Sequence, residues 1–224
     1  MFAFVIWDSA KRWLFAARDR LGKKPFFYTT SSSRFLFASE IKAITADPSV
    51  VAKPNFNAID RYLTCQYVPA PLTAFADIHK LQAGHYLLCT GPNDVRVSPY
   101  WLPGQVPKTT LTQPEAAERL LEILKDAVRL RMIADVPIGA FLSGGVDSGA
   151  VVALMAMQSA SPVKTFSIGF NEERYNELPF ARLLAERYGT EHHEFTVMPS
   201  ALEILPRLIR HYNEPFADSS AIPT

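Results

Sequence analysis

At 224 residues and 48% hydrophobic content, the chain has enough apolar material for one large domain or two small ones with real cores. Its 23 basic and 22 acidic residues leave a formal net charge of +1, so no broad field favours nucleic acid, an acidic substrate or a membrane surface. A charged ligand must therefore be recognised locally.

The first residues are apolar, but they lack a basic leader and meet Asp8 and Lys11 too early for a signal peptide. Apolar runs such as 136–146 fall well short of the roughly 20 residues of a spanning helix, which predicts a soluble, cytoplasmic protein. Cys65 and Cys89 are too few for a disulfide framework and are expected as packed, reduced thiols.

Aromatic and β-branched runs at 2–7, 13–18, 26–29 and 34–38 predict strands, the first two joined by a hairpin at Asp8-Ser9-Ala10-Lys11. A short helix is expected over 40–45, stopped by Asp47-Pro48, and a second over 58–66 with Asn57 as its N-cap. Residues 84–90 and 95–100 read as two more strands around Gly91-Pro92-Asn93-Asp94. Together these predict a layered α+β domain.

Three prolines and one glycine between Pro99 and Pro107 replace any periodic pattern, which places a domain boundary near residue 105. Thr112-Gln113-Pro114-Glu115 offers a capping box, after which Ala116, Leu120, Leu124, Ala127 and Val128 recur at helical spacing. Strands at 137–142, 164–170 and 193–197 then alternate with helices at 148–158, 177–188 and 200–211. That alternation predicts parallel pairing and a doubly wound α/β sheet.

The stretch that carries chemistry is Leu142-Ser143-Gly144-Gly145-Val146-Asp147-Ser148, between an apolar strand and an apolar helix. Ligands bind at this carboxyl edge of an α/β sheet. Glycines let the backbone approach an anion, the helix N-terminus adds positive potential, and Ser143 and Ser148 bring hydroxyl donors. Gly145 is expected at positive φ. There is no lysine of the GxxxxGK[ST] kind and no GxGxxG spacing, so neither a Walker A loop nor a dinucleotide fingerprint is present. Asp147 among phosphate donors would repel a polyphosphate unless a divalent cation lay between them, which implies Mg²⁺ and a site for Mg-pyrophosphate. A plain Ser/Gly turn, with Asp147 favoured by the helix dipole, is the alternative reading of the same residues.

With this loop, Asp135-Val136-Pro137-Ile138-Gly139 before it, and Thr165-Phe166-Ser167-Ile168-Gly169-Phe170 and Gly189-Thr190-Glu191-His192-His193-Glu194 after it, the sequence resembles the glutamine-hydrolysing asparagine synthetases. Upstream, Ala17-Arg18-Asp19-Arg20-Leu21-Gly22-Lys23-Lys24-Pro25 and Phe37-Ala38-Ser39-Glu40-Ile41-Lys42-Ala43 look like the later half of that family's glutaminase domain. The resemblance implies a piece with two parts. Residues 1–105 would be the end of an N-terminal-nucleophile amidotransferase domain, and 106–224 the start of an ATP-pyrophosphatase domain like the adenine-nucleotide alpha hydrolases. It also implies the chemistry: ATP adenylates aspartate, Mg-pyrophosphate leaves, and ammonia from glutamine displaces AMP. Carried over by position, Ser143, Gly144, Gly145, Val146, Asp147 and Ser148 hold pyrophosphate, Leu142 lines the nucleotide pocket and Ile168 contacts adenosine. Asp218 and Ser219 are weaker candidates for the aspartyl-AMP pocket. Full-length relatives are expected as homodimers.

An N-terminal cysteine is the nucleophile of such glutaminases, and position 2 here is Phe. The family's glutamine-holding residues and its SGEGSDE motif are expected outside this sequence, so the chain is expected to be inactive alone. Two alternatives stay open: another amide-forming adenylating enzyme of the same loop class, and a non-catalytic nucleotide-binding remnant. His192 and His193 point to opposite faces of a strand and are read as structural, and Arg18-Asp19-Arg20 is read as contributing to a buried or interface salt bridge rather than an anion site.

Overall fold

The computed structural model describes residues 1–31, 33–104, 107–170, 176–196 and 201–218. By contact these form two compact units, one of residues up to 104 together with 201–218, the other of residues 107–196.

The first unit contains β1 (Ala3–Asp8), β2 (Trp13–Arg18), β3 (Phe27–Thr30), β4 (Phe35–Ala38), α1 (Ile41–Thr45), α2 (Phe56–Cys65), β5 (His79–Lys80), β6 (His85–Gly91) and β7 (Asp94–Pro99). These strands pair antiparallel in two sheets of order β1-β2-β6-β7 and β4-β3-β5. Period-2 alternation sends Val5, Leu14, Ala16, Leu87 and Cys89 to one face of the first sheet, where they pack with Phe26, Leu81, Tyr28 and Phe35. The opposite face leaves Phe4, Ile6 and Phe15 partly exposed. Ile41, Ile44 and Ile78 form a second cluster under α1. The β1–β2 hairpin turns where expected, with Asp8 Oδ1 accepting the N–H groups of Ala10 and Lys11 at 3.0 and 2.9 Å.

Three expectations are corrected in this unit. Asn57 lies inside α2, whose cap is Asn55; its Oδ1 accepts the Ala58 N–H at 3.2 Å. Cys65 is exposed at the end of α2, and only Cys89 is packed. Arg18 and Asp19 bind main chain rather than each other. The Arg18 guanidinium donates to the carbonyls of Lys24, Leu81 and Gly22, and the Asp19 carboxylate accepts N–H groups from Phe2, Leu21, Lys23 and Lys24. A turn with many unpaired peptide groups satisfies both side chains more completely than one ion pair would.

The second unit contains α3 (Gln113–Arg131), β8 (Gly139–Phe141), α4 (Val146–Ala156), β9 (Lys164–Gly169), α5 (Leu178–Tyr188) and β10 (Glu191–Thr196). Glu115 closes the capping box of α3 by accepting from both the N–H and the hydroxyl of Thr112 at 2.7 Å. The three strands pair parallel in the order β10-β9-β8. This is the expected parallel α/β sheet. Its strands follow one another in sequence order, whereas a doubly wound sheet reverses direction at a switch point, and no such reversal occurs among the described residues. Helix α6 (Ala201–Tyr212) continues the alternation in sequence, yet by contact it belongs to the first unit. There Lys80 and Glu214 form an ion pair with both side chains 13% exposed, and Glu214 Oε2 accepts the Ala74 N–H at 3.3 Å. Among the described residues no helix is long and apolar enough to cross a membrane.

Candidate active site at the carboxyl end of β8

Strand β8 ends at Phe141, and the chain turns through Leu142–Gly145 into α4 with Gly145 as the N-cap residue. Leu142 anchors the turn. Its side chain is 1% exposed and packs against Val152, Ala181 and Ala185, while its N–H donates to Phe166 O at 2.9 Å. Leu142 is thus core beneath the loop, with its side chain turned away from solvent.

The hydroxyls of Ser143 and Ser148 lie 2.9 Å apart. Ser148 Oγ also accepts the Ser143 N–H at 3.2 Å and reaches Gly145 O at 3.3 Å, and Ser143 Oγ accepts the Gly145 N–H at 3.4 Å. These bonds hold a tight coil in which both hydroxyls sit beside the first turn of α4, where helix amides have no intrahelical acceptor. Asp147 is exposed in that first turn.

The expectation of positive φ at Gly145 is corrected. Gly145 has φ −76° and ψ 163°, the extended geometry of an N-cap, and it is Gly144 that has φ +76°. Gly144 is also where the loop meets α5. A Cβ there would lie 2.6 Å from Phe180 Cβ and 2.9 Å from Ala181 N. The loop is therefore seated against the start of a second helix, a contact that local sequence does not reveal.

Ile168 lies near the carboxyl end of β9, on the face opposite the helices. It pairs in register with Phe195, which is 55% exposed, and shares its face with Phe166, the register partner of the 67% exposed Phe141. Thr165 and Ser167 occupy the helix-facing side at 0% and 3% exposure, and the Ser167 hydroxyl donates to Leu142 O. Sequence reasoning missed Ser167; a serine between Phe166 and Ile168 was its signal.

Asp218 is exposed at the end of the segment that packs in the first unit, and Ser219 lies outside the described residues. His192 Nδ1 sits 2.9 Å from Thr165 Oγ1, and His193 stacks on Phe166 at 5.3 Å, in keeping with structural roles. No group of three or more His, Cys, Asp or Glu is placed to hold a metal among the described residues. Mg²⁺ suits such a site, because it keeps several waters and takes one or two carboxylates together with substrate phosphates. Asp147 fits that requirement.

Comparison with known proteins also divides the chain in two, but it groups α6 with the second part, whereas by contact α6 belongs to the first unit. Residues 1–101 match the family model described as glutamine amidotransferase domain, and residues 119–224 match the one described as asparagine synthase. A putative glutamine-hydrolysing asparagine synthetase 2 of Methanocaldococcus jannaschii is 37% identical over all of this chain and 44% of its own length. Glutamine-hydrolysing asparagine synthetase 1 of Bacillus subtilis is 32% identical over all of this chain and 35% of its own length. Amidase chry2 of Gibberella zeae is 32% identical over 86% of this chain and 31% of its own length. With two family models matched in tandem, the chain is similar along its whole length to glutamine-hydrolysing asparagine synthetases and spans less than half the length of these relatives.

Proposed function

We propose that the loop from Ser143 to Ser148 binds the pyrophosphate end of ATP in an asparagine synthetase reaction. In that reaction aspartate is activated as β-aspartyl-AMP with release of pyrophosphate, and ammonia drawn from glutamine completes the amide. The observation that supports it most strongly is the pair of serine hydroxyls, 2.9 Å apart, at the open end of α4. There donors and the helix dipole converge on one small volume. In the bound state the two hydroxyls would turn from each other to phosphate oxygens, and the extended Gly145 would let the ligand approach the backbone. Asp147 would hold Mg²⁺, whose charge offsets that of the pyrophosphate. Ile168, with the apolar surface around Phe141 and Phe195, offers a platform for the adenosine part, and Leu142 forms the floor of the loop.

The same reading makes 1–105 the later part of an amidotransferase domain of the N-terminal-nucleophile type. Residues 106–224 become the start of a doubly wound ATP-pyrophosphatase domain, with Asp218 and Ser219 near the aspartyl pocket and homodimers in the full-length protein. A second reading is an adenylating enzyme of the same loop class that forms an amide on a different carboxylate.

Calorimetric titration of the chain with pyrophosphate and with ATP, each with and without Mg²⁺, tests the loop. Saturable binding that requires Mg²⁺ is expected, and no binding of either ligand overturns the reading. In a full-length relative carrying this loop, exchange of labelled pyrophosphate into ATP that depends on aspartate separates the first reading from the second.

A further inference from the structure

We propose that Ser167, on β9, is a positioning residue for the phosphate loop: it holds the peptide unit from which the loop springs. The proposal rests on the loop reading above. The carbonyl of Leu142 and the N–H of Ser143 belong to one planar peptide group. The carbonyl end accepts the Ser167 hydroxyl, and the N–H end donates to Ser148 Oγ at 3.2 Å. This plane is therefore clamped on one side by the neighbouring strand and on the other by a loop residue that reaches Gly145 O and the Ser143 hydroxyl. The bonds run in one direction, from Ser167 through the peptide to Ser148, so each polarises the next.

Rotation of that plane would carry Ser143 with it and turn the following glycine amides away from a common point. The preceding N–H of Leu142 is held by Phe166 O at 2.9 Å, which fixes the strand, while the orientation of the next peptide depends on its own two bonds, to Ser167 at the carbonyl and to Ser148 at the N–H. Ser167 is 3% exposed and shares the helix-facing side of β9 with Thr165, at 0%, and Gly169, against which Leu178 of α5 packs. At this depth water does not replace a missing hydroxyl, and a buried carbonyl without its donor favours another orientation.

Two measurements on the full 224-residue chain test this for Ser167→Ala and Ser167→Thr. The first needs no ligand: amide hydrogen exchange of Ser143, Gly144 and Gly145, followed against amides in the middle of α3. Ser167→Ala should speed exchange in the loop by about tenfold while α3 is unchanged, and Ser167→Thr, which keeps the hydroxyl, should restore it. The second is calorimetry with Mg-pyrophosphate, in which Ser167→Ala should weaken binding by about tenfold at a temperature where the variant is fully folded. Unchanged loop exchange in Ser167→Ala overturns the positioning role whatever the binding result. Altered loop exchange in a chain that binds no pyrophosphate even as wild type keeps the role and removes the functional reading instead. If Ser167→Thr does not fold, the alanine variant alone decides.

Discussion

Gly144 and Phe180 meet so closely that a single methyl group at residue 144 would lie 2.6 Å from Phe180 Cβ, with Ala181 N at 2.9 Å. The φ of +76° at Gly144 adds a backbone cost for any other residue. Gly144→Ala should therefore destabilise the second unit by about 3 kcal/mol, from left-handed strain plus overpacking against main chain. Gly145→Ala should cost less than about 1 kcal/mol, because its φ of −76° is ordinary and its Cβ would meet only Ser143 Oγ at 3.4 Å. Its effect should fall on pyrophosphate binding. Thermal melts by circular dichroism paired with calorimetry separate the two, and equal melts for both variants would contradict the assignment.

Asp147 is exposed in the first turn of α4, so its replacement leaves the fold alone. Asp147→Asn should weaken Mg-dependent pyrophosphate binding by about 1–3 kcal/mol, the scale of a lost charge-assisted contact. Equal affinity of both proteins for pyrophosphate in the presence of Mg²⁺ would remove the metal role.

The first unit carries a pH dependence through Asp19. Burial raises its pKa, but the four N–H donors of Lys24, Lys23, Phe2 and Leu21 outweigh that and hold it at about 2, below the ordinary 3.8. A folded pKa below the unfolded one adds stability above the unfolded value, and this is lost as pH falls through the folded value. The contribution should be complete above about pH 4 and disappear towards pH 2. Asp19→Ala should abolish that part of the pH dependence and cost about 3 kcal/mol at neutral pH, because several amides lose their acceptor. The three tryptophans Trp7, Trp13 and Trp101 all lie in this unit, so denaturant titrations followed by their fluorescence report on it directly.

Lys80 and Glu214 tie the segment after α6 to the first unit, and Lys80 also donates to Val68 O at 2.6 Å. Burial lowers the Lys80 pKa, against the Glu214 carboxylate, which raises it. Glu214→Gln leaves a largely buried ammonium without its counter-charge and should loosen the docked segment by about 3 kcal/mol. Amide exchange in α6 should then quicken, and the double variant Lys80→Met with Glu214→Leu should recover most of the protection. No change in α6 exchange would show that apolar contacts alone hold the helix.

Much of this protein is legible from neighbours in sequence. The Thr112–Glu115 capping box, the Asp8 hairpin and the alternation of strands and helices after residue 136 depend on residues a few positions apart. So does the loop itself, since its glycines, its two serines and the start of α4 are consecutive. Tertiary structure decided the rest, and in places reversed the simple expectation. Along β9 the polar Thr165 and Ser167 are buried at 0% and 3%, while Phe166 and Ile168 face the other side at intermediate exposure. Amphipathic alternation by itself would have turned that strand over; the helix-facing side takes small residues because α5 packs closely there, with Leu178 against Gly169, and hydrogen bonds satisfy their hydroxyls. Which glycine carries positive φ, which carbonyl Ser167 holds, and which unit receives α6 depend on contacts across 25 or more residues of sequence. Local propensity carries no information about such contacts, because their energy exists only once the chain has closed on itself.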